Sequence, residues 1–204
     1  MSPYIVKNMR QTIILLFFAV AGCSNPTSIK NEIAAESGAP GDDIPASAIR
    51  EKYADSPEME KITINDAQGI LAFQGILVNG KKEGAWTEFN NNGSVKSVTP
   101  FVHGKKEGLY LELNSNGQFG KRIAYHNDLR HGEYAEYNYP NKKEERMYQQ
   151  GILEGTVKIY YSNGKIMEEG AYKNNTRDGI SRWFNEEGKE TIKYEYKNGE
   201  LVKK

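Results

Sequence analysis

The chain has 204 residues, 27 basic against 27 acidic side chains, 38% hydrophobic residues, 20 glycines and one cysteine. One cysteine excludes a disulfide-stapled fold and a zinc site built from cysteines. Balanced charge excludes a global basic field for nucleic acid, and ordinary charged and apolar fractions exclude wholesale disorder.

The first element is an address. Lys7 and Arg10 precede an apolar run of nine residues, Ile13 to Ala21. As a helix it extends about 14 Å, against a hydrocarbon core of about 30 Å, so it is too short to span. It fits the apolar region of a secretory signal over residues 1–22, starting at Met1 or at Met9.

The run ends Val20-Ala21-Gly22-Cys23, which resembles the bacterial lipoprotein signal. That resemblance implies cleavage before Cys23, a lipidated cysteine, and export to the cell envelope with the membrane as a partner. Ser24 stands where an aspartate retains lipoproteins in an inner membrane, which implies the outer membrane in a cell that has one. Two or more acyl chains suffice for stable anchoring.

Residues 23–61 read as a lipid-anchored flexible linker. Four of the seven prolines (Pro26, Pro40, Pro45, Pro57) fall here among small polar residues. Such composition favours an extended coil, with a short helix expected over Ala46–Tyr53.

Residues 62–204 repeat. Gly84, Gly108, Gly132, Gly155 and Gly179 are spaced 24, 24, 23 and 24, each preceded by Glu83, Glu107, His131, Glu154 or Asp178. A second series runs Gly69, Gly93, Gly117, Asn141, Gly164, Gly188, and a third Gly80, Gly104, Asp128, Gly151, Asn175, Gly199. Where glycine is missing the substitutes are Asn or Asp, which best tolerate a left-handed backbone. The short period loses one residue between Asn141 and Gly151, so Lys142 to Tyr148 is expected to pair with a bulge or shifted register. Runs of five to nine residues between these turns predict hairpins. The expected fold is all-β, a repetitive antiparallel meander of about eleven or twelve strands from Ile62 to Val202.

The pattern Tyr-x-Asn-Gly-x-x-x-Gly-x-x-x-x-Tyr/Phe-x-x-x-Gly, clearest at Tyr148–Gly164 and Tyr172–Gly188, resembles the MORN-repeat variant family of bacteria. The resemblance implies a repeat fold and interaction roles; some relatives are labelled antitoxins. Its first aromatic slot holds Leu77, Phe101, Tyr125, Tyr148, Tyr172 and Tyr196, and its second Phe89, Leu113, Tyr137, Tyr160 and Phe184. Aromatics that recur with a structural repeat are expected in the core, the second slot above all.

Two residues after each acid-glycine pair stand Trp86, Tyr110 and Tyr134, then Val157 and Ser181. Strand alternation puts this rank on the face opposite the second slot, with Glu88, Glu112 and Glu136 beside it. Three aromatics beside three glutamates predict a half-polar binding face for a protein partner. The Lys-Lys-Glu-Gly segments at Lys81–Gly84 and Lys105–Gly108 read as solvated turns; Leu129-Arg130, Ile152-Leu153 and Thr176-Arg177 break any basic strip, so neither nucleic acid nor anionic lipid is expected to bind there.

His103, His126 and His131 lie at or beside turns, and no metal or cofactor is expected. No Gly-x-Ser-x-Gly elbow and no His-Glu-x-x-His helix occurs, and no catalytic residue is singled out, so no enzyme is expected. The functional expectation is a membrane-tethered envelope interaction module. An antitoxin-like or immunity protein is the alternative, and an envelope hydrolase a distant third.

Overall fold

The computed structural model describes residues 44–202. The signal region 1–22, Cys23 and the linker through residue 43 lie outside the described residues. Among the described residues sixteen strands form one antiparallel sheet. In chain order they are β1 (Ile49–Lys52), β2 (Met59–Asn65), β3 (Leu71–Val78), β4 (Lys81–Phe89), β5 (Val95–Val102), β6 (Lys105–Lys106), β7 (Gly108–Leu113) and β8 (Phe119–His126). They continue with β9 (Leu129–Asn138), β10 (Asn141–Gln149), β11 (Ile152–Leu153), β12 (Gly155–Tyr160), β13 (Ile166–Lys173), β14 (Thr176–Phe184), β15 (Glu190–Lys197) and β16 (Glu200–Leu201). The sheet is a meander: each strand pairs with its neighbours in sequence, β6 and β11 being short segments that pair β5 and β10.

Two kinds of turn alternate, and each corresponds to one series of turn residues. At the first kind two consecutive residues take positive φ, as at Asn79-Gly80 (50° and 77°) and Asn127-Asp128 (55° and 68°). This is the two-residue turn whose twist matches paired strands, and Asp128 and Asn175 serve where glycine is missing. The second kind is a longer turn: Asn90 N–H donates to the Ser94 carbonyl and Gly93 N–H to the Asn90 carbonyl. Asparagine or aspartate often opens it; Asn114 Oδ1, for example, accepts from the Asn116 and Gln118 amides.

The third copy departs from this scheme. Asn138 pairs directly with Asn141, so Tyr139-Pro140 forms a two-residue turn with a cis peptide bond. That is where the short period loses its residue. Asn141 was expected to replace a left-handed glycine, but it begins β10 and is absent from the positive-φ positions. A bulge falls between Lys142 and Glu144, but the other long hairpins carry an equivalent one, as between Glu88 and Phe89, so it is not the special irregularity expected from the lost residue.

The acid-glycine pairs break the ladder a third time. The pairing of β3 with β4 jumps from Gln74↔Thr87 to Ile76↔Glu83, leaving a bulge at Gly84. The acid then reaches the next repeat. Glu83 accepts from the His103 amide (2.8 Å), Glu107 from Asn127 (2.9 Å), Glu154 from Asn174 (3.2 Å) and Asp178 from Asn198 (3.1 Å). At the remaining copy His131 Nδ1 takes this place, with the Gln150 amide at 3.4 Å. Each acid therefore fixes the left-handed residue opening the following tight turn, which stacks one hairpin on the next.

Burial divides the sheet into two unequal faces. One face carries the core in two clusters: Ile62, Ile64, Leu77, Trp86 and Phe101, then Tyr110, Ile123, Tyr125, Tyr134, Tyr148, Leu153 and Val157. The first aromatic slot is core from Leu77 to Tyr148. The second slot is not the principal core: Phe89, Leu113, Tyr137, Tyr160 and Phe184 are half-buried, and lie beside the long turns. Tyr125 pairs with Gly108, two residues before Tyr110, so the first slot shares a face with the Trp86 rank.

The linker expectation needs correction over residues 44–61. β1 pairs with β2 in the register Ile49↔Thr63 to Lys52↔Glu60, where a helix over Ala46–Tyr53 was expected. Ile44 and Ala48 pack against the cluster around Ile62. The β-domain therefore begins ahead of Ile62, because these apolar side chains close its first edge.

Candidate binding surface

The rank expected to bind a partner is core. Trp86, Tyr110 and Tyr134 are 1%, 2% and 5% exposed. Trp86 lies on Gly75, where a Cβ would come within 2.3 Å of the indole Cδ2, and its Nε1 donates to the Ile76 carbonyl at 3.1 Å. Tyr110 donates its hydroxyl to Glu112 Oε2 at 3.0 Å; burial, then the Glu112 charge, push its phenol well above the ordinary range. Tyr134 meets Tyr148 edge-on at 6.3 Å.

The glutamates beside them are engaged from within. Glu88 holds Lys96 at 2.7 Å and accepts from Ser97 at 3.0 Å, and Glu136 holds Lys143 at 3.1 Å. The cationic and hydrogen-bonding groups expected from a partner are thus supplied by this chain. The rank does not form an exposed half-polar face.

A row of cations covers this core. Lys82 is buried with its ammonium 5.2 Å from the Trp86 ring and 5.1 Å from the Phe101 ring. Lys106 lies over Tyr125, Arg130 over Tyr134 and Tyr148, and Arg177 over Tyr172, Trp183 and Tyr196. A cation over an aromatic face gains about 2 kcal/mol or more when desolvated. The second lysine of each Lys-Lys-Glu-Gly segment is therefore not a solvated turn residue. Sequence inspection missed the row, although one signal was present: the residue before each acid is Lys82, Lys106, Arg130, Leu153 and Arg177.

On the opposite face the strands leave apolar side chains uncovered. Val102, Leu109, Leu129, Met147 and Ile152 are 39–47% exposed. Register places them on one side: Leu109 opposite Ala124, Leu129 opposite His126, Met147 opposite Glu133 and Ile152 opposite Gln149. Half-buried Val98, Pro100 and Leu111 extend the band toward β5 and β7. Charged groups border it. Glu133 contacts Lys142 at 3.3 Å and Arg122 at 3.9 Å. Burial would raise the Glu145 carboxyl, but hydrogen bonds from Lys142, Tyr160 and Lys158 outweigh it and hold the group at about 2. An apolar band with a polar rim is suited to contact by packing.

The histidines remain at the turns. His126 Nδ1 lies 2.9 Å from Glu107 Oε1, and its ring meets that of His131 at 5.7 Å. Among the described residues no group of three or more His, Cys, Asp or Glu side chains converges as a metal site.

Comparison with known proteins gives one family. The model described as MORN repeat variant matches residues 82–103 and 153–174. No curated protein matches. Among solved structures, S. aureus TarM, in complex with fondaparinux, alpha-GlcNAc-glycerol and UDP, aligns at 12% identity and a TM-score of 0.30. The alignment covers 64% of this chain and 22% of that one, and carries no argument about fold or activity. Each family match runs from the core-covering position, Lys82 or Leu153, into the next tight turn, so it spans the elements that define one repeat. The chain carries repeats of the MORN variant family.

Proposed function

We propose that this chain is a non-catalytic interaction module of the cell envelope, tethered to a membrane through lipidated Cys23, with the outer face of its repeat sheet contacting a protein partner. The observation that carries the contact surface is the apolar band of Val102, Leu109, Leu129, Met147 and Ile152. The tether rests on Val20-Ala21-Gly22-Cys23, where the chain's one cysteine stands at the position that lipid attachment requires.

The test is cross-linking and capture from membranes, comparing the wild-type chain, Cys23→Ala, and the triple variant Leu109→Ser, Leu129→Ser, Met147→Ser. Loss of the membrane fraction in Cys23→Ala supports the tether. Loss of a specific cross-linked partner in the triple variant, with an unchanged circular dichroism spectrum, supports the surface. A partner retained in full by the triple variant would refute it.

A further inference from the structure

The two ends of the sheet are closed differently. At the first end Ile44, Ala48 and β1 cover the cluster around Ile62. Among the described residues nothing comparable covers the core face where it runs out onto β15. In earlier copies the equivalent positions are covered by the following strand: Ser97 faces Glu112 on β7, Ile123 faces Tyr134 on β9, and Gly170 faces Ser181 on β14. Ser97, Thr99 and Ile123 are accordingly 0–1% exposed. On β15 the same positions are Ile192 and Tyr194, each 45% exposed, with Tyr194 meeting Trp183 edge-on at 5.8 Å.

The backbone is open along the same stretch. β16 pairs with Tyr196 and Lys197, and the Val202 amide donates to the Glu195 carbonyl. Since Glu195 directs its carbonyl outward, alternation directs the polar groups of Lys193 outward too, up to the bulge at Thr191, whose hydroxyl donates back to the Trp183 carbonyl at 3.1 Å. Among the described residues no strand pairs with the outer edge of Glu190–Tyr194.

Charge specifies what fits there. On the outer face a cross-strand row runs Glu145↔Lys158, Lys158↔Glu169, Glu169↔Arg182 and Arg182↔Lys193. Sign alternates until the last step, where two cations stand opposite each other, an unfavourable pairing. Arg182 turns to Glu190, 3.3 Å away, so alternation resumes only with an acid beyond Lys193.

We propose that the open edge of β15 docks an extended strand of a partner protein, in which one acidic residue is flanked on both sides by apolar residues. The acid faces Lys193 on the outer side, and its neighbours cover Ile192 and Tyr194 on the core side. Main-chain bonds to Lys193 supply affinity, and the alternating side chains supply selection. This rests on the binding-module reading but on neither the lipid anchor nor the apolar band, so serine substitutions in that band leave it intact.

The experiment measures fluorescence anisotropy of two labelled decapeptides against the full chain in detergent. One carries a central Val-Glu-Val and the other a central Val-Lys-Val. The glutamate peptide should bind at least tenfold more tightly, and Lys193→Glu should reverse the preference. Ile192→Lys, which points a charge inward at an open edge, should abolish binding of both. Lys193 is exposed, so its variant decides the matter even where Ile192→Lys fails to fold. Equal binding of the two peptides, no binding of either, or a preference unchanged by Lys193→Glu would overturn the proposal. So would a concentration-dependent dimer in sedimentation that Lys193→Glu disrupts, since the edge would then belong to a second copy.

Discussion

Trp86 and Gly75 should behave as one unit. The indole is 1% exposed and lies where a Cβ on residue 75 would fall, 2.3 Å from Cδ2. Contact that close is not accommodated without moving the ring or the strand, and overpacking of this kind costs about 1–3 kcal/mol. Removing the ring with Trp86→Ala costs about 3–5 kcal/mol through lost burial and the space left behind. Once the ring is gone, a methyl group at residue 75 meets no indole. The double variant should therefore be no less stable than Trp86→Ala alone, a coupling of about 1–3 kcal/mol. Urea unfolding of the four proteins, with free energies compared at matched slopes, measures it. Additive costs would show that Trp86 does not pack on Gly75 and would undo the assignment of the core face.

Three further outcomes follow from other parts of the sheet. Arg130→Leu should be tolerated better than Arg130→Ala in thermal melts, because Leu153 fills the same slot one copy later and Arg146 also reaches the Tyr148 hydroxyl at 3.3 Å. Glu145 is held at about 2, below the ordinary carboxylate range, so the stability it contributes is present above about pH 4.5 and lost as pH falls toward 2. Glu145→Gln should flatten the dependence of the urea midpoint on pH across that window, and an unchanged slope would contradict the pairing with Lys142 and Lys158. A chain beginning at Ile44 should melt like the longer protein, whereas one beginning at Lys61 loses Ile44, Ala48 and β1 and should melt several degrees lower; equal melting would show that this edge contributes nothing.

The repeat was legible because its turns impose backbone requirements that few residues meet. Asn79-Gly80, His103-Gly104 and Asn198-Gly199 all need two positive φ angles in succession, and that need surfaces as a glycine series in phase. Which face is buried was not legible. Tyr134 and Tyr137 are both aromatic and point to opposite sides, so alternation separates them without saying which one is covered. The cover comes from Arg130 and its equivalents, whose cations lie over aromatic rings in place of solvent. A charged residue beside an acid and a glycine looks like a turn, yet Lys82 pairs with Leu77 in the strand and so stands on the face of Trp86. The first strand was missed for another reason: Ile49–Lys52 carries no turn series and follows prolines and alanines, so its composition matches a linker. Asn141 illustrates the same limit, since a residue in phase with a glycine series became a strand residue once the turn shortened to Tyr139-Pro140.

The assignment of faces is tested most directly at two adjacent residues. Val157 is buried in the rank of Trp86, Tyr110 and Tyr134, while Thr156 is exposed on the face that carries the apolar band. In a Cys23→Ala background, Val157→Cys and Thr156→Cys each introduce one thiol with little change of volume. The labelling rate with a maleimide should match that of a free thiol for Thr156→Cys, and should rise for Val157→Cys only when the sheet is unfolded in urea. Rapid native labelling of Val157→Cys, with Thr156→Cys protected, would place the core on the other face.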